Sequence, residues 1–364
     1  MTPPGRLQRI QLKGFRSMRE LDLELKSLNV LIGPNGVGKS NFISFFRFMN
    51  KLLDKDLQLY VRAQLGGADR TLYFGRKVTD QLQIDLRFSP NRYSAVLVPT
   101  ADDGLVFKRE SAFFYADDIA YQGGTKQISL ATSGSFESGL PKMGTLTAAQ
   151  HVSGYLSDWK VYHFHDTSET ARMKGAYSVH ATERLMPQGE NLAAFLYSLR
   201  DSAAYTKVVK TVQRVAPFFH DFIFQLEPKD QIRLRWKHKG SDEYFDATML
   251  SDGTLRFICL TTLLLQPKLP TILLLDEPEL GLHPFAMQLL AGMMRSASES
   301  TQIIASTQSV TLANEFGWDD LVVVDQVDNA SKFRRLQEQE VAHWLEQYRL
   351  GDIWQMNLLG GTPE

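Results

Sequence analysis

The stretch Gly33-Pro34-Asn35-Gly36-Val37-Gly38-Lys39-Ser40 decides the fold of this 364-residue chain. It matches the pattern G-x-x-x-x-G-K-[ST] at every fixed position, and Asn41 follows it. The run Leu28–Ile32 before it is short and apolar, as in a buried strand, and apolar residues recur at helical spacing from Phe42 to Leu53 after it. The sequence therefore predicts a strand, a glycine loop and a helix, in that order.

This arrangement is suited to binding a chain of phosphates. Glycines allow the backbone to curl so that successive N–H groups point at one anion, and the N-terminus of the helix adds the positive end of its dipole. Lys39 can reach the terminal phosphates, and the hydroxyl of Ser40 can bind Mg²⁺. The alternative, a glycine-rich turn that carries a lysine by chance, is disfavoured by the complete motif in this context.

Composition places the chain among ordinary globular proteins. It is 43% hydrophobic and 22% charged with a net charge of −1, so no global field draws it to nucleic acid or to a membrane. Its longest apolar runs, such as Leu263–Leu265 and Ile272–Leu275, are far too short to span a bilayer. The single cysteine, Cys259, cannot form an internal disulfide or a thiolate metal site. These features predict a cytoplasmic protein that does not enter a membrane.

The first half of the chain has the patterns of antiparallel strands. Alternating apolar and polar residues in 7–12 and 21–25 predict a hairpin. Residues 76–165 are typical of a mostly antiparallel sheet with long loops, and the Gly, Ser and Thr content of 123–144 predicts a mobile segment. The predicted strands of this sheet are 82–88, 93–98, 104–114 and 161–164.

A regular alternation of strands and helices begins at residue 271. Apolar runs at 271–275, 302–305 and 321–325 predict strands, and helices are predicted between them at 284–294 and 310–316. Such alternation is typical of a parallel sheet with both faces covered. No heptad repeat of a long coiled coil is present in the sequence. Further helices are predicted at 192–199, 208–215 and 250–265.

The apolar run 272–275 ends in two acids, Asp276 and Glu277. In phosphoryl-transfer sites an aspartate at a strand end holds Mg²⁺, and a neighbouring glutamate can take a proton from an attacking water. An apolar strand that ends in Asp-Glu is common by itself, but here it accompanies a complete glycine loop. Because ligands of open α/β sheets bind at the carboxyl ends of strands, we expect the loop and the acids to serve the same chemistry.

Several motifs together resemble the ATP-binding-cassette superfamily and, within it, the RecF/SMC-like ATPases of bacteria that are often described as AAA-type ATPases. They are Gly33–Ser40, Leu250–Thr254, Asp276–Glu279, Leu282–Pro284, Gly14–Ser17, Trp159–Thr167 and Leu350–Gly361. The resemblance covers nearly the whole chain. It implies an α/β ATPase head with a parallel-sheet core, an antiparallel β subdomain and a helical insertion. We divide the chain into an N-terminal head part (1–75), a β-rich lobe (76–180), a helical lobe (181–230) and a C-terminal head part (231–364).

The resemblance implies a split active site that uses ATP and Mg²⁺ in a homodimer. The loop of one protomer would face the signature segment, Leu250–Thr254, of a second. The implied nucleotide contacts are Arg16, Gly33, Pro34, Asn35, Gly36, Val37, Gly38, Lys39, Ser40, Asn41, Ser251 and Gly253. The implied catalytic residues are Lys39, Glu277 and Gln308, and the implied Mg²⁺ ligands are Ser40, Asp276 and Gln64. Gln58 and Gln81 compete with Gln64, and a plain helix cap is the simpler role for Ser251.

Two positions depart from the superfamily pattern. Asp252 stands where transporters carry glycine, and a carboxylate near a phosphate is unfavourable unless it points away, which argues against transport. Gln308 stands where histidine is common. Glutamine can donate a hydrogen bond to a γ-phosphate but cannot become cationic near neutral pH. We therefore predict slow hydrolysis, below about 10 per second, that acts as a timer.

Two other patterns have a structural and a functional interpretation. His163 and His165 lie on one face of a predicted strand and could bind a metal, although a structural role is favoured. The basic segment Lys229–Lys239, with Trp236 inside it, could follow a phosphate backbone, although a solvated hairpin is the plainer interpretation.

These observations support two classes of function. The first is an ATPase switch whose homodimer closes on ATP and acts on a separately encoded effector protein of nuclease type in anti-phage defence. Direct binding of DNA or RNA for genome maintenance is its rival, and no nuclease constellation is visible in the chain itself. The resemblance extends to ATPases of the overcoming-lysogenization type. The second class is a nucleotide-binding scaffold with little or no hydrolysis, which Gln308 supports and Glu277 opposes.

Overall fold

Between residues 271 and 327 the strands alternate with helices in the order that the sequence predicts. The computed structural model describes residues 5–114, 126–140 and 147–361, so the predicted mobile segment 123–144 lies partly outside the described residues. The strands are β1 Leu7–Phe15, β2 Met18–Glu24, β3 Leu28–Ile32, β4 Leu82–Phe88, β5 Asn91–Pro99, β6 Leu105–Phe114, β7 Lys126–Ala131, β8 Trp159–Tyr162, β9 Tyr177–Ser178, β10 Phe219–Ile223, β11 Leu226–Glu227, β12 Gln231–Ile232, β13 Arg235–His238, β14 Tyr244–Asp246, β15 Ile272–Asp276, β16 Gln302–Thr307, β17 Leu321–Val327 and β18 Ala330–Arg335.

The helices are mostly short, and the longest have 15 residues within the described ranges, which leaves no long coiled coil there. The α-helices are α1 Lys39–Leu53, α2 Leu57–Leu59, α3 Ala68–Thr71, α4 Ala148–Ser157, α5 Leu192–Leu199, α6 Ala203–Val215, α7 Asp252–Leu265, α8 Pro284–Ser298, α9 Val310–Ala313, α10 Glu338–Leu345 and α11 Leu350–Gln355. One turn of π-helix follows α2 at Tyr60–Leu65. The predicted helices and strands from 192 onward are confirmed, with ends shifted by a few residues.

The chain forms two compact units. The first comprises Met1–Trp159 and Gly317–Glu364, and the second comprises Lys160–Phe316. The four-part division of the sequence stays a prediction.

The first unit contains an antiparallel sheet in the order β2-β1-β4-β5-β6-β7. The predicted hairpin of β1 and β2 is confirmed, and β1 also pairs with β4, so the hairpin extends the sheet. In the same unit β17 pairs in parallel with β3 and antiparallel with β18. The fold is therefore mixed α/β with parallel and antiparallel pairing, as predicted.

Helix α1 is held in the first unit by an aromatic core. Apolar residues recur at helical spacing along α1, and four of them are completely buried: Phe42, Phe45, Phe46 and Phe48. Phe15 of β1 meets Phe45 and Phe48 edge-on, with ring centroids 5.6 Å apart in both pairs. Such offset contacts of buried rings add to the free energy gained from burial. The start of α1, where the glycine loop ends, is thereby fixed to the sheet.

The second unit contains the parallel pair β15 and β16, both made of buried residues except at the end of β15. Helix α7 packs against α6 and α8 in this unit. Two small antiparallel sheets, β10-β13-β14 and β9-β12-β11, complete it.

The prediction for 76–165 was wrong in two places. Residues Ala148–Ser157 form helix α4, which starts at the capping box of Thr147 and Gln150. Its buried residues are Ala148, Ala149, Val152, Ser153 and Leu156. The predicted strand at 161–164 ends at Tyr162 and does not belong to the antiparallel sheet.

Candidate functional site

The phosphate loop, Gly33–Ser40, curls between the end of β3 and the start of α1. Gly36 and Gly38 have φ angles of 84° and 111°, in the left-handed region that favours glycine. Lys39 is only 5% exposed, and its Nζ donates hydrogen bonds to the carbonyls of Gly33 at 2.5 Å and Pro34 at 2.8 Å. The lysine side chain therefore runs along the inside of the loop, with its charge held close to the main chain that is expected to surround an anion.

Side chains from the β1–β2 turn support the loop from behind. Arg16 donates from Nη1 to Oδ1 of Asn41 at 3.2 Å, and Asn41 donates from Nδ2 to Oγ of Ser17 at 2.7 Å. Burial lowers the pKa of Arg16, and the nearby Tyr60 opposes that change. The structure thus brings two of the predicted nucleotide contacts, Arg16 and Asn41, together. It also adds Ser17, which sequence analysis quoted inside a motif but did not assign a role.

The glutamine predicted as a Mg²⁺ sensor lies on the π-helix. Gln64 is exposed there. Its competitor Gln58 uses Nε2 to donate to the carbonyls of Leu105 at 2.5 Å and Phe136 at 2.8 Å, which is a structural role. The assignment to Gln64 stays a prediction.

The acids at the end of β15 are brought together with Gln308 at the end of β16. Asp276 accepts a hydrogen bond on Oδ1 from Oγ of Ser306 at 2.5 Å. Glu277 has a φ angle of 44°, which is rare for a residue with a side chain, and its N–H donates to the carbonyl of Ser306 at 3.1 Å. The side-chain amide of Gln308 donates to Oε1 of Glu277. Backbone strain of this kind is concentrated at functional sites, so Glu277 is a good candidate for a chemical role.

Glu279 is a buried carboxylate at the start of the loop Glu279–Leu282, which the resemblance implies couples the two sites of a dimer. It is 7% exposed and accepts hydrogen bonds on Oε1 from Oγ1 of Thr307 at 2.6 Å and from the N–H of Gln308 at 3.2 Å. Burial raises the pKa of Glu279, and the nearby charge of Glu277 raises it further. Glu279 therefore fixes the main chain at Gln308, whose side chain contacts Glu277.

The signature segment opens α7. Oγ of Ser251 accepts a hydrogen bond from the N–H of Thr254 at 3.3 Å, so the predicted capping role is confirmed. Asp252 is exposed, and its carboxylate is therefore solvated. A Cβ on Gly253 would lie 2.3 Å from the carbonyl oxygen of Gly281, which means that only glycine allows α7 to approach the loop after β15 this closely. The phosphate-contact roles of Ser251 and Gly253 stay predictions.

Arg256 connects that loop to α7. It is 8% exposed, and its Nη1 donates to the carbonyl of Leu280 at 2.8 Å. Nε and Nη2 donate to the carbonyls of Phe164 and His165, both at 2.9 Å. No local pattern in the sequence distinguishes this arginine from others near the start of a helix, so it was not predicted as a functional residue.

The structural interpretation of the histidine pair is supported. Nε2 of His165 lies 2.8 Å from the carbonyl oxygen of Asp276, and the rings of His163 and His165 are 4.0 Å apart. No group of three or more His, Cys, Asp or Glu side chains suited to a metal occurs in the described part of the chain. For Mg²⁺ the fitting donors are oxygens, and the roles of Ser40, Asp276 and Gln64 as its ligands stay predictions.

The basic segment 229–239 is largely neutralised by acids. Arg235 pairs with Glu227 at 3.1 Å and with Asp246 at 3.2 Å, and Lys237 pairs with Asp242 at 3.3 Å. Trp236, 5% exposed, packs on Phe219 and Phe245 rather than facing solvent. This segment is a paired hairpin, in agreement with the plainer interpretation.

These features define the class of the protein. A phosphate loop between a strand and a helix, a strand that ends in Asp-Glu and a signature helix together define an ATPase of the ABC/RecF/SMC-like type. Residues 28–314 match the family described as "AAA domain, putative AbiEii toxin, Type IV TA system". The match covers most of the chain, and the chain belongs to this family.

Comparison with solved structures gives the same fold. The head domain of an Smc protein bound to the C-terminal winged-helix domain of ScpA is 14% identical, with a TM-score of 0.53, over 93% of this chain and 99% of that one. An Smc head with an extended coiled coil from Pyrococcus furiosus, bound to the C-terminal domain of ScpA, is also 14% identical, with a TM-score of 0.52, over 94% and 98%. No curated protein matched the sequence. Within the described ranges, none of the helices has both the length and the apolar character needed to cross a membrane.

Proposed function

We propose that this ATPase is a slow switch that closes as a homodimer on ATP and controls a separately encoded partner. The observation that carries this proposal is the preformed phosphate loop, in which Lys39 is buried against the carbonyls of Gly33 and Pro34. A loop of this geometry binds a nucleoside triphosphate through its N–H groups, with Lys39 on the terminal phosphates. Mg²⁺ would be held by Ser40 and Asp276, and when bound it screens the charge of the phosphates.

Glu277 is the proposed base. Its strained backbone and its hydrogen bond from Gln308 hold the carboxylate in one orientation. A base must accept a proton from the attacking water, and the hydrogen bond from Gln308 orients the carboxylate of Glu277 for that step. Glutamine is a neutral donor and cannot stabilise the charge of the phosphates as a cationic histidine can, which supports slow turnover. The same neutral donor supports the second candidate, a nucleotide-binding scaffold in which hydrolysis is nearly absent.

The signature segment supports dimerisation. Ser251 and Asp252 are exposed at the N-terminus of the 14-residue helix α7. Main-chain N–H groups and the helix dipole at such a terminus favour an anion. In the proposed dimer that anion is the γ-phosphate bound by the second copy, contacted by Ser251 and Gly253.

A protein effector is favoured over nucleic acid as the partner. Three cations of the segment 229–239, which are Arg233, Arg235 and Lys237, pair with acids, and this weakens the case for direct binding of DNA or RNA there. The family description includes the words "putative AbiEii toxin, Type IV TA system", which favours a protein partner. We therefore propose a role in anti-phage defence with a nuclease-like effector. Genome maintenance through DNA is the alternative.

The central test is light scattering together with phosphate release for the wild type and Glu277→Gln, with and without ATP and Mg²⁺. Loss of the base should reduce phosphate release at least about 100-fold and increase the ATP-bound dimer. The control is Glu169→Gln, because Glu169 is an exposed glutamate outside the motifs. If Glu277→Gln neither traps a dimer nor slows hydrolysis, Glu277 is not the base. Copurification of a second polypeptide supports the effector, whereas ATPase activity stimulated by DNA supports genome maintenance.

A further inference from the structure

Two serines from distant parts of the chain meet behind the phosphate loop. Ser17 lies in the β1–β2 turn and Ser331 lies in β18. The N–H of Ser331 donates to the carbonyl of Ser17 at 2.8 Å, and their Oγ atoms are 2.7 Å apart. A Cβ on Gly38 would lie 2.1 Å from Oγ of Ser331 and 2.7 Å from Oγ of Ser17. The two hydroxyls therefore fill the space beside Gly38.

The hydroxyls are part of a hydrogen-bond chain with one direction. Ser331 is 1% exposed, and its Oγ lies 2.5 Å from the carbonyl oxygen of Val37. A carbonyl only accepts and a hydroxyl has one proton, so Ser331 donates to Val37 and Ser17 donates to Ser331. Ser17 in turn accepts from Asn41, which accepts from Arg16. Because every donor points the same way, each bond polarises the next.

The hydrogen-bond chain determines the orientation of the peptide group between Val37 and Gly38 in the phosphate loop. In a planar trans peptide the C=O and the following N–H point to opposite sides. The bond from Ser331 holds the carbonyl of Val37, so the N–H of Gly38 is directed away from the serines. We propose that Ser17 and Ser331 are positioning residues that aim the Gly38 N–H at the phosphates of the nucleotide. This inference rests on the proposed binding of ATP and adds residues that the loop motif does not contain.

The test uses the full-length chain as wild type, Ser331→Ala, Ser17→Ala and the double variant. The control is Ser111→Ala, because Ser111 is 2% exposed and accepts its hydrogen bond from Gln127, on β7. Affinity is measured with a fluorescent ATP analogue, and the Gly38 amide is followed in spectra of ¹⁵N-glycine-labelled protein. We expect Ser331→Ala to weaken binding about tenfold, the effect of one buried hydrogen bond, and to shift the Gly38 signal.

The double variant tests whether the hydrogen bonds of Ser17 and Ser331 act in series. Because the two hydroxyls are successive links, we expect the double variant to bind about as weakly as Ser331→Ala alone. Ser111→Ala should bind ATP as the wild type does, and its thermal midpoint without nucleotide should lie within about 3 °C of that of Ser331→Ala.

Three results separate the possible failures. If Ser331→Ala binds ATP like the wild type and leaves the Gly38 signal in place, the positioning role is wrong while the proposed ATPase stands. If Ser111→Ala weakens ATP binding as much as Ser331→Ala does, the loss of affinity follows the loss of stability, the serines are merely structural and the inference is overturned. If the wild type does not bind the analogue, or Lys39→Ala binds it equally well, the proposed function fails first.

Discussion

Gln308 is held at both its main chain and its side chain. Its N–H donates to Glu279 at 3.2 Å, and its side-chain amide donates to Glu277. The residue is therefore positioned to orient the proposed base, and a glutamine supplies a donor that does not change charge with pH. The slow turnover that we propose follows from this neutral donor.

We predict opposite effects for two substitutions of Gln308. Gln308→Ala removes the donor and should lower phosphate release about tenfold, the effect of losing one hydrogen bond to a charged group. Gln308→His should restore a donor and add a charge as pH falls through about 6.5, so its turnover relative to the wild type should rise toward acidic pH. Phosphate release from pH 5.5 to 8 measures both. A Gln308→Ala variant with wild-type turnover would remove Gln308 from the proposed mechanism.

Glu110 is a second buried carboxylate, in the antiparallel sheet, and it makes stability depend on pH. It is completely buried and accepts hydrogen bonds from the hydroxyls of Tyr93 at 2.7 Å and Ser138 at 2.6 Å and from the N–H of Gly139 at 2.7 Å. Burial nevertheless raises its pKa above the usual 4.5. A carboxyl group with a raised pKa in the folded state binds its proton more tightly there, so its contribution to stability declines as pH rises above 4.5.

We predict that Glu110→Gln flattens this pH dependence. The variant should lose about 1–3 kcal/mol near pH 5, because an amide N–H₂ then faces donors, and the deficit should shrink toward pH 7. Urea unfolding at several pH values measures the difference from the wild type. Glu169→Gln, at an exposed position, serves as the control and should keep the wild-type slope. A deficit that stays constant with pH would show that Glu110 does not titrate in this range.

At the scale of elements, the first turn of α7 and the loop after β15 pack without side chains between them. Gly253→Ala would place a Cβ 2.3 Å from the carbonyl of Gly281, so the loop must move and we expect a loss of about 1–3 kcal/mol. Gly292→Ala in α8 is a matched control, because nothing lies within 4 Å of the added Cβ, and it should stabilise by about 0.5–1 kcal/mol. Both substitutions remove the same flexibility from the unfolded chain. Urea midpoints that coincide for the two variants would contradict the close packing at Gly253.

Elements with a strong local period were predictable from the sequence, whereas pairings between distant segments were not. The apolar spacing of α1 and the unbroken runs of β15 and β16 are visible within a few residues. The pairing of β1 with β4 joins segments about 70 residues apart and has no local signal. Helix α4 does have a local signal, the capping box of Thr147 and Gln150, which the prediction of a continuous sheet over 76–165 overlooked.

The residues of the candidate site also fall into those that the sequence predicts and those that it does not. The phosphate loop and the Asp-Glu pair were found because their chemistry requires fixed residue types at fixed spacing. Ser331 lies 314 residues from Ser17, and nothing near it in sequence distinguishes its hydroxyl from other serines. Arg256 was not given a role for the same reason, since its importance comes from the carbonyls it contacts in the folded chain.

At the scale of the whole molecule, the proposed homodimer makes each nucleotide depend on residues from two chains. Lys39→Ala disables the loop of its own chain, whereas Ser251→Asp keeps a good helix cap but adds a negative charge next to the partner's γ-phosphate. Each variant alone should therefore be inactive. In a mixture, a dimer of one chain of each kind contains one intact site, formed by the loop of one variant and the signature segment of the other.

The predicted result of mixing the two inactive variants is recovered ATPase activity. Random association makes half of the dimers mixed, each with one working site of two, so an equal mixture should reach about a quarter of the wild-type rate per chain. An equal mixture of Lys39→Ala and Ser40→Ala is the control, because both changes damage the same loop and no pairing of chains restores an intact one. Recovery must also disappear on dilution below the concentration at which light scattering detects dimers, since a shared site exists only while two chains are associated. Recovery in the control mixture, or none in the test mixture, would mean that the signature segment does not act on a second chain's nucleotide.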